Sequence, residues 1–359
     1  MYRFKRIAIK VGSNVLTRSD GALDLTRMSS LVDQIAELQR DGLEIILISS
    51  GAVASGRSEI TAKGRLDAVS ARQLYSAVGQ AKLMNRYYDF FNEHGLACGQ
   101  VLTTKESLGT RRHYLNQKNC VGVMLENKVI PIMNENDTIS VTELMFTDND
   151  ELSGMISAMM NVDALIILSN VDGIYDGPPD HPSSRLIAVV DRDQEMTDCI
   201  QTSRSAFGRG GMLTKYRIAR KVANEGIEVI IANGRTENIL LKILETDSRA
   251  VCTRFLASPK ASSGVKKWIA HSGSFAKGEI HINENAAKAL LGEKATSLLP
   301  IGIVSIDGQF EKDDIVKVID DKKNVIGIGK VSYDSAKVLE LMGKKGNKPV
   351  IHYDYLSLV

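Results

Sequence analysis

The sequence predicts an α/β chain: a three-layer sandwich around a mainly parallel sheet, followed by a small, mostly β domain. Three observations carry this. Short β-rich runs alternate with helical stretches from the start of the chain to about Asn238. Those runs are apolar throughout, as strands are when helices cover both faces of their sheet. Near Lys260 the texture changes to short strands, turns and many glycines, with little long helix.

The elements follow in order. RIAIKV (6–11) is a strand that enters a glycine turn. LTRMSSLVDQIAELQRDG (25–42) has apolar residues at helical spacing and a stop at Gly42. LEIILIS (43–49), LACGQVLT (96–103), KVIPIMN (128–134), ALIILS (164–169) and IEVIIAN (227–233) read as strands. MLTKYRIARKVANEG (212–226) reads as a helix closed by Gly226. SPKASSG (258–264) is a linker by composition. The expected organisation is therefore a first domain over 1–257, a linker over 258–265 and a second domain over 266–359. In the second, GEIHIN (278–283), GIVSIDGQF (302–310) and DIVKVIDDKKNVIGIGKVS (314–332) are β-like, and NENAAKALLG (283–292) is helical.

Composition limits the function. A chain of 359 residues is long for one domain and comfortable for two. The net charge of +2 gives no global field that would draw nucleic acid. The basic N-terminus has too short an apolar run for a signal peptide, and no segment reaches the length of a membrane span, so a cytoplasmic location is expected. Cys98, Cys120, Cys199 and Cys252 show no metal or redox spacing and read as scattered buried thiols in a reducing compartment. No Walker A loop, GxGxxG after the first strand, HExxH or GxSxG occurs.

What does occur is a set of polar clusters just after strands, where parallel sheets bind ligands. In KVGSNVL, Lys10 ends a strand before the turn Gly12-Ser13-Asn14. Such a turn can cradle phosphate, but taken alone it reads as an ordinary turn beside a surface lysine. In ISSGAVASGR, Ser50 and Gly51 lead into small residues that suit either close ligand approach or tight helix packing. GRGGMLTK (208–215) puts glycines before a helix start that carries Thr214 and Lys215. Two acid and amide clusters, Asn134–Asp137 and Asp148-Asn149-Asp150, read as solvated loops or as partners for ammonium groups and magnesium. Each signal is weak alone. Together they supply the cations and acids that phosphoryl transfer needs.

In order along the chain, KVGSNVL, ISSGAVASGR, VIPIMNENDTIS, TDNDELS, LSNVDGIY and GRGGMLTK resemble the amino acid kinase family, and within it the members that phosphorylate glutamate. KKWIAHSG, GEIHIN, SLLPIGI and GQFEKDDIV resemble the PUA domain attached to many of them. The resemblance implies an amino acid kinase-like fold and transfer of phosphate from ATP, with Mg2+, to the γ-carboxylate of L-glutamate, the first step to proline. It implies that Lys10 and Lys215 act on the transferring group and that Asp148 or Asp150 orients them. It implies Ser50, Gly51, Asp137 and Asn149 for glutamate. For nucleotide it implies Lys10, Ser169, Asn170, Arg209, Gly210, Gly211, Met212, Leu213, Thr214 and Lys215. Protein ligands to a metal stay unknown. The chain departs from the pattern at Ser169-Asn170, where members often carry Thr-Asp, and in SRSAFGR before Gly210. Implied partners are proline as feedback inhibitor, further copies in a homo-oligomer, and glutamate-5-phosphate reductase as the receiver of product.

Sibling kinases, acting on N-acetylglutamate, aspartate or carbamate, are the alternative. The acid cluster argues against N-acetylglutamate, whose blocked amine needs no carboxylate, and the β-rich tail argues against aspartate kinases. A second class is RNA binding by the tail. Its 14 Lys, absence of Arg and 12 acids from Lys266 onward argue for little basic excess.

Overall fold

The computed structural model describes residues 2–140, 149–179, 181–191, 211–245, 248–259, 264–292 and 295–358. The chain forms two compact units: Met1–Ser107 with Leu115–Ala261, and Leu108–Tyr114 with Ser262–Val359. Up to residue 261 the elements are β1 (Arg6–Val11), α1 (Ser13–Leu16), α2 (Leu25–Arg40), β2 (Glu44–Ser49), α3 (Ala52–Glu59), α4 (Ala68–Glu93), β3 (Cys98–Thr103), α5 (Lys105–Gly109), α6 (Arg111–Glu126), β4 (Ile130–Glu135), α7 (Asn149–Met160), β5 (Ala164–Ser169), β6 (Val189–Val190), α8 (Met212–Asn224), β7 (Glu228–Asn233), α9 (Ile239–Leu244) and β8 (Cys252–Phe255).

Eight strands form one sheet in the order β3-β4-β2-β1-β5-β7-β8-β6. Among the described residues every pairing is parallel except β7 with β8. Strand side chains alternate between faces, and here both faces are covered. Ile7, Ile9, Val11, Ile45 and Leu47 join Met28 and Ile35 of α2, Leu83 and Phe91 of α4, and Ile239 of α9 in one apolar cluster. Ala8, Ile46, Ile48, Leu165 and Ile167 are equally buried on the other face, which carries α7 and α8. Coverage on both sides is why the strands read as unbroken apolar runs.

Local chemistry sets the helix ends. The Asp24 side chain accepts from Arg27 N at the start of α2, and Gly42 ends the turn after it at φ +95. Gly226 does the same after α8 at φ +87. The 26-residue α4 has no counterpart among the stretches read above. Its Asp67 cap accepts from Val69 N and Ser70 N. It packs on α3 through small residues: a Cβ on Gly79 would lie 1.8 Å from the Ala52 carbonyl oxygen. Gly79→Ala is therefore expected to force the two helices apart and cost about 1–3 kcal/mol, as overpacking does; a lowered urea midpoint at unchanged slope checks it.

The second unit carries α10 (Gly264–His271), β9 (Gly278–Ile282), α11 (Glu284–Leu291), β10 (Ile303–Asp307), β11 (Ile315–Ile319), β12 (Val325–Lys330), α12 (Ser335–Leu341) and β13 (Leu356–Leu358). Its sheet order is β10-β9-β11-β12-β13 around a separate core that includes Ile280, Val316, Val318 and Val350. The long run 314–332 divides into a hairpin because Asp320 Oδ1 accepts from Asn324 N at 2.7 Å and Lys323 turns at φ +64. Helix α10 begins at Gly264, inside the stretch that composition reads as linker. Trp268 of α10 is buried and donates from Nε1 to Leu108 O at 3.2 Å. Among the described residues Cys98, Cys120 and Cys252 are free thiols; Cys120 is exposed on α6, so the expectation of buried thiols fails there. No described helix is long and apolar enough to cross a membrane.

Candidate active site

The parallel register lines up the carboxyl ends of the central strands. Lys10 pairs with Ile48 and Val11 with both Ser49 and Leu168, while Ser169 pairs with Asn233. Helix α7 runs from β4 past β2 and β1 to β5, so its first residues belong to the same edge. The chain reverses its direction across the sheet here, the position at which open α/β sheets bind ligands.

Asp150, the second residue of α7, is fully buried. Lys10 Nζ lies 2.5 Å from its Oδ1, and Lys215 Nζ donates to its Oδ2 at 2.9 Å. Burial alone would raise the carboxyl, but the charges of Lys10 and Lys215 outweigh it and hold Asp150 well below the usual carboxylate range. A helix start also favours an anion. The lysines arrive from different elements. Lys10 takes the α7 face of β1, and Lys215 is in the first turn of α8, after Gly211 at its N-cap. Met212, Leu213 and Thr214 complete that turn. Gly12 follows Lys10 and donates from its N to Leu168 O at 3.1 Å; a Cβ there would sit 3.2 Å from the same oxygen.

A second group lies on the β2 and β4 side. Asn149 Nδ2 donates to Ser50 Oγ at 2.8 Å and to Asn134 Oδ1 at 3.0 Å. Asn134 Nδ2 donates to Gln80 Oε1 of α4 at 2.9 Å. Gly51 begins α3 at φ +108, a conformation that glycine takes without strain. Asp137 is paired with Arg72 of α4, which also reaches Glu135 Oε2 at 2.8 Å. Burial pushes the Asp137 carboxyl up, and the Arg72 charge opposes this only in part.

The structure thus brings Lys10, Lys215 and Asp150 into contact, and Ser50 and Asn149 likewise. Ser169 is buried at the end of β5 and its carbonyl accepts from Gly234 N at 2.8 Å; Asn170 beside it is exposed. Asp148, Arg209 and Gly210 lie outside the described residues. Reading the sequence did not single out Arg72 or Gln80. The signal available was two carboxylates, Glu135 and Asp137, that need a cation to stay buried.

Comparison with known proteins gives the family of the chain. The model of the Amino acid kinase family matches residues 5–233, and the PUA domain model matches 278–353. A glutamate 5-kinase of Bacteroides thetaiotaomicron is 66% identical over 99% of both chains. Glutamate 5-kinases of Chlorobaculum tepidum and Syntrophotalea carbinolica are 46% and 38% identical, over 99% and 98% of this chain and 98% and 94% of theirs.

Proposed function

The chain belongs to the glutamate 5-kinases of the amino acid kinase family, and from that premise we propose how its residues divide the work. The reaction moves the γ-phosphoryl group of ATP to the γ-carboxylate of L-glutamate, giving ADP and L-glutamate 5-phosphate, the first step of proline biosynthesis. A carboxylate attacking a phosphate brings negative charge toward negative charge, so fixed cations are the main requirement. The observation that carries the assignment is one buried carboxylate holding two ammonium groups, Lys10 and Lys215, at the carboxyl edge of the sheet. Asp150 presents them from β1 and from α8, so that they flank the transferring group. The turn after β1 and the start of α8 receive the phosphates of ATP, with Ser169 and Asn170 beside them.

Glutamate occupies the other side. Backbone N–H groups after Gly51 and the Ser50 hydroxyl meet its α-carboxylate, Asn149 spans the two halves, and Asp137 meets the α-ammonium group. Both Asp150 oxygens face lysines, so magnesium fits this site as an ion carried by the ATP phosphates, where it neutralises their charge. Proline keeps the α-carboxylate and a charged nitrogen but lacks the γ-carboxylate, so it competes with glutamate.

ADP release screened over glutamate, aspartate and N-acetylglutamate tests the reading. Release with glutamate alone is expected; release with either other acid in preference to glutamate overturns it. The pH response adds a check. Asp137 must be ionised to accept an ammonium group, and burial makes it take up a proton at higher pH than an ordinary aspartate. KM for glutamate is therefore expected to rise as pH falls toward the carboxylate range. The rise should be steeper in wild type than in Asp137→Asn, where no proton can be taken up. Parallel profiles would count against Asp137 as the ammonium acceptor.

A further inference from the structure

Four side chains form one line of hydrogen bonds from α4 to the end of β2. Gln80 Oε1 accepts from Asn134 Nδ2 at 2.9 Å. Asn134 Oδ1 accepts from Asn149 Nδ2 at 3.0 Å, and the same Nδ2 donates to Ser50 Oγ at 2.8 Å. A side-chain amide has an acceptor end and a donor end of nearly equal size, so contact alone does not fix which way it faces. Here the backbone fixes it. Glu135 N donates to Asn134 Oδ1 at 2.9 Å, and a backbone N–H can only donate. Every other direction follows from that bond. The donor end of Asn134 faces Gln80, which turns its oxygen to meet it. Asn149 turns its Nδ2 toward Asn134 Oδ1. The two hydrogens of Asn149 Nδ2 are then engaged by Asn134 Oδ1 and Ser50 Oγ. Ser50 accepts from Asn149, so its own hydroxyl hydrogen points away from that amide. Asn134 is only 3% exposed, and reversing it there would set donor against donor without water to relieve them.

We infer that Gln80 and Asn134 are positioning residues that hold the Ser50 hydroxyl as a donor toward the substrate. They act through Asn149. This rests on the glutamate reading above, in which Ser50 and the backbone N–H groups after Gly51 meet the α-carboxylate. A carboxylate accepts at both oxygens and satisfies a set of fixed donors. A carboxamide must turn its N–H2 end against one of them. The line of amides thereby makes the site selective for an anion at this position.

The test uses the full chain with glutamate and with L-isoglutamine, which is glutamate with its α-carboxylate converted to an amide, measured as a competitive inhibitor of glutamate phosphorylation. Wild type is expected to bind isoglutamine much more weakly than glutamate. Gln80 is partly buried, and Gln80→Met removes its acceptor at similar length. This variant is expected to raise KM for glutamate about tenfold, the scale of a weakened hydrogen bond to a charged group. It should change kcat and KM for ATP little and leave the inhibition constant of isoglutamine nearly unchanged, so discrimination between the two ligands narrows. Gln80→Glu, which still offers Asn134 an acceptor, should keep most of the discrimination. Asn134→Leu removes the anchored amide and should show the same split more strongly. In a Ser50→Ala background Gln80→Met should add little, because both act through one hydroxyl. Equal weakening of glutamate and isoglutamine, a fall in kcat at unchanged KM, or equal damage from Gln80→Glu and Gln80→Met would overturn the inference while leaving the glutamate reading intact. A wild-type chain with no glutamate-dependent ADP release would overturn both.

Discussion

Replacing Lys10 or Lys215 with Met is expected to lower kcat by about 10² or more, with a much smaller change in KM for glutamate. The effect is one of timing. Glutamate and ATP carry their charges before reaction, but the transferring group and its bridging oxygens gather extra charge only as the old bond loosens and the new one forms. A cation fixed beside that position stabilises the transition state more than the bound substrates, which is the condition for raising kcat. Lys10 and Lys215 are fixed in this sense, since each is buried and held by Asp150. Met keeps most of the stem and removes the charge. A factor of 10² corresponds to about 2.7 kcal/mol of barrier, within reach of one preorganised charge. Steady-state kinetics on each variant decides it. Near-normal kcat in both would refute phosphoryl transfer at these turns.

Asp150→Asn is expected to be the most damaging single change to stability. The variant leaves two buried ammonium groups facing each other without their common counter-ion. Removing one partner of a buried pair costs about 3–5 kcal/mol. Mutual repulsion of the lysines adds to this unless one gives up its proton. The pH dependence follows from the direction of the Asp150 shift. Its folded value lies below the ordinary one, so its contribution is complete above the ordinary aspartate range and is lost as pH falls through the depressed value. The stability gap between wild type and Asp150→Asn should therefore hold from neutral pH down to about pH 4, near the unfolded aspartate value, and close only below it. Urea unfolding at several pH values measures this. A gap that closes between pH 7 and pH 5 would mean that another group carries the effect.

The readable parts of this site share a physical property: each is announced within a few residues of itself. Lys10 stands at the end of an apolar strand before Gly12, and Lys215 follows the glycines that open α8, so backbone constraints mark both places. The same holds for Ser50 before Gly51. Asp150 is marked less directly, by acids crowded where a helix begins. Arg72 and Gln80 carry no such mark. They lie in the first half of a helix whose buried residues there are small, Ser76 and Gly79, the large apolar ones beginning only at Leu83, so this part of its face is faint in the sequence. Their role depends on which segment the helix crosses, and that is tertiary information. The hairpin at Asp320–Asn324 was obscured for the opposite reason, since its strands and its turn run together as one polar and apolar mixture.

The alternation along β1 has a consequence for how this chain can change over generations. Ile9 and Val11 belong to the aliphatic cluster on one face of the sheet, and Lys10 between them belongs to the other. A substitution at Ile9 or Val11 trades one apolar shape for another and leaves the lysine where it is. Loss or gain of a single codon within the strand exchanges the two faces. It would drive an ammonium group into the aliphatic layer and turn an aliphatic side chain toward Asp150. Drift by point replacement is thus open to this strand, while drift in length is closed, and length variants of the chain should survive in its connecting loops instead.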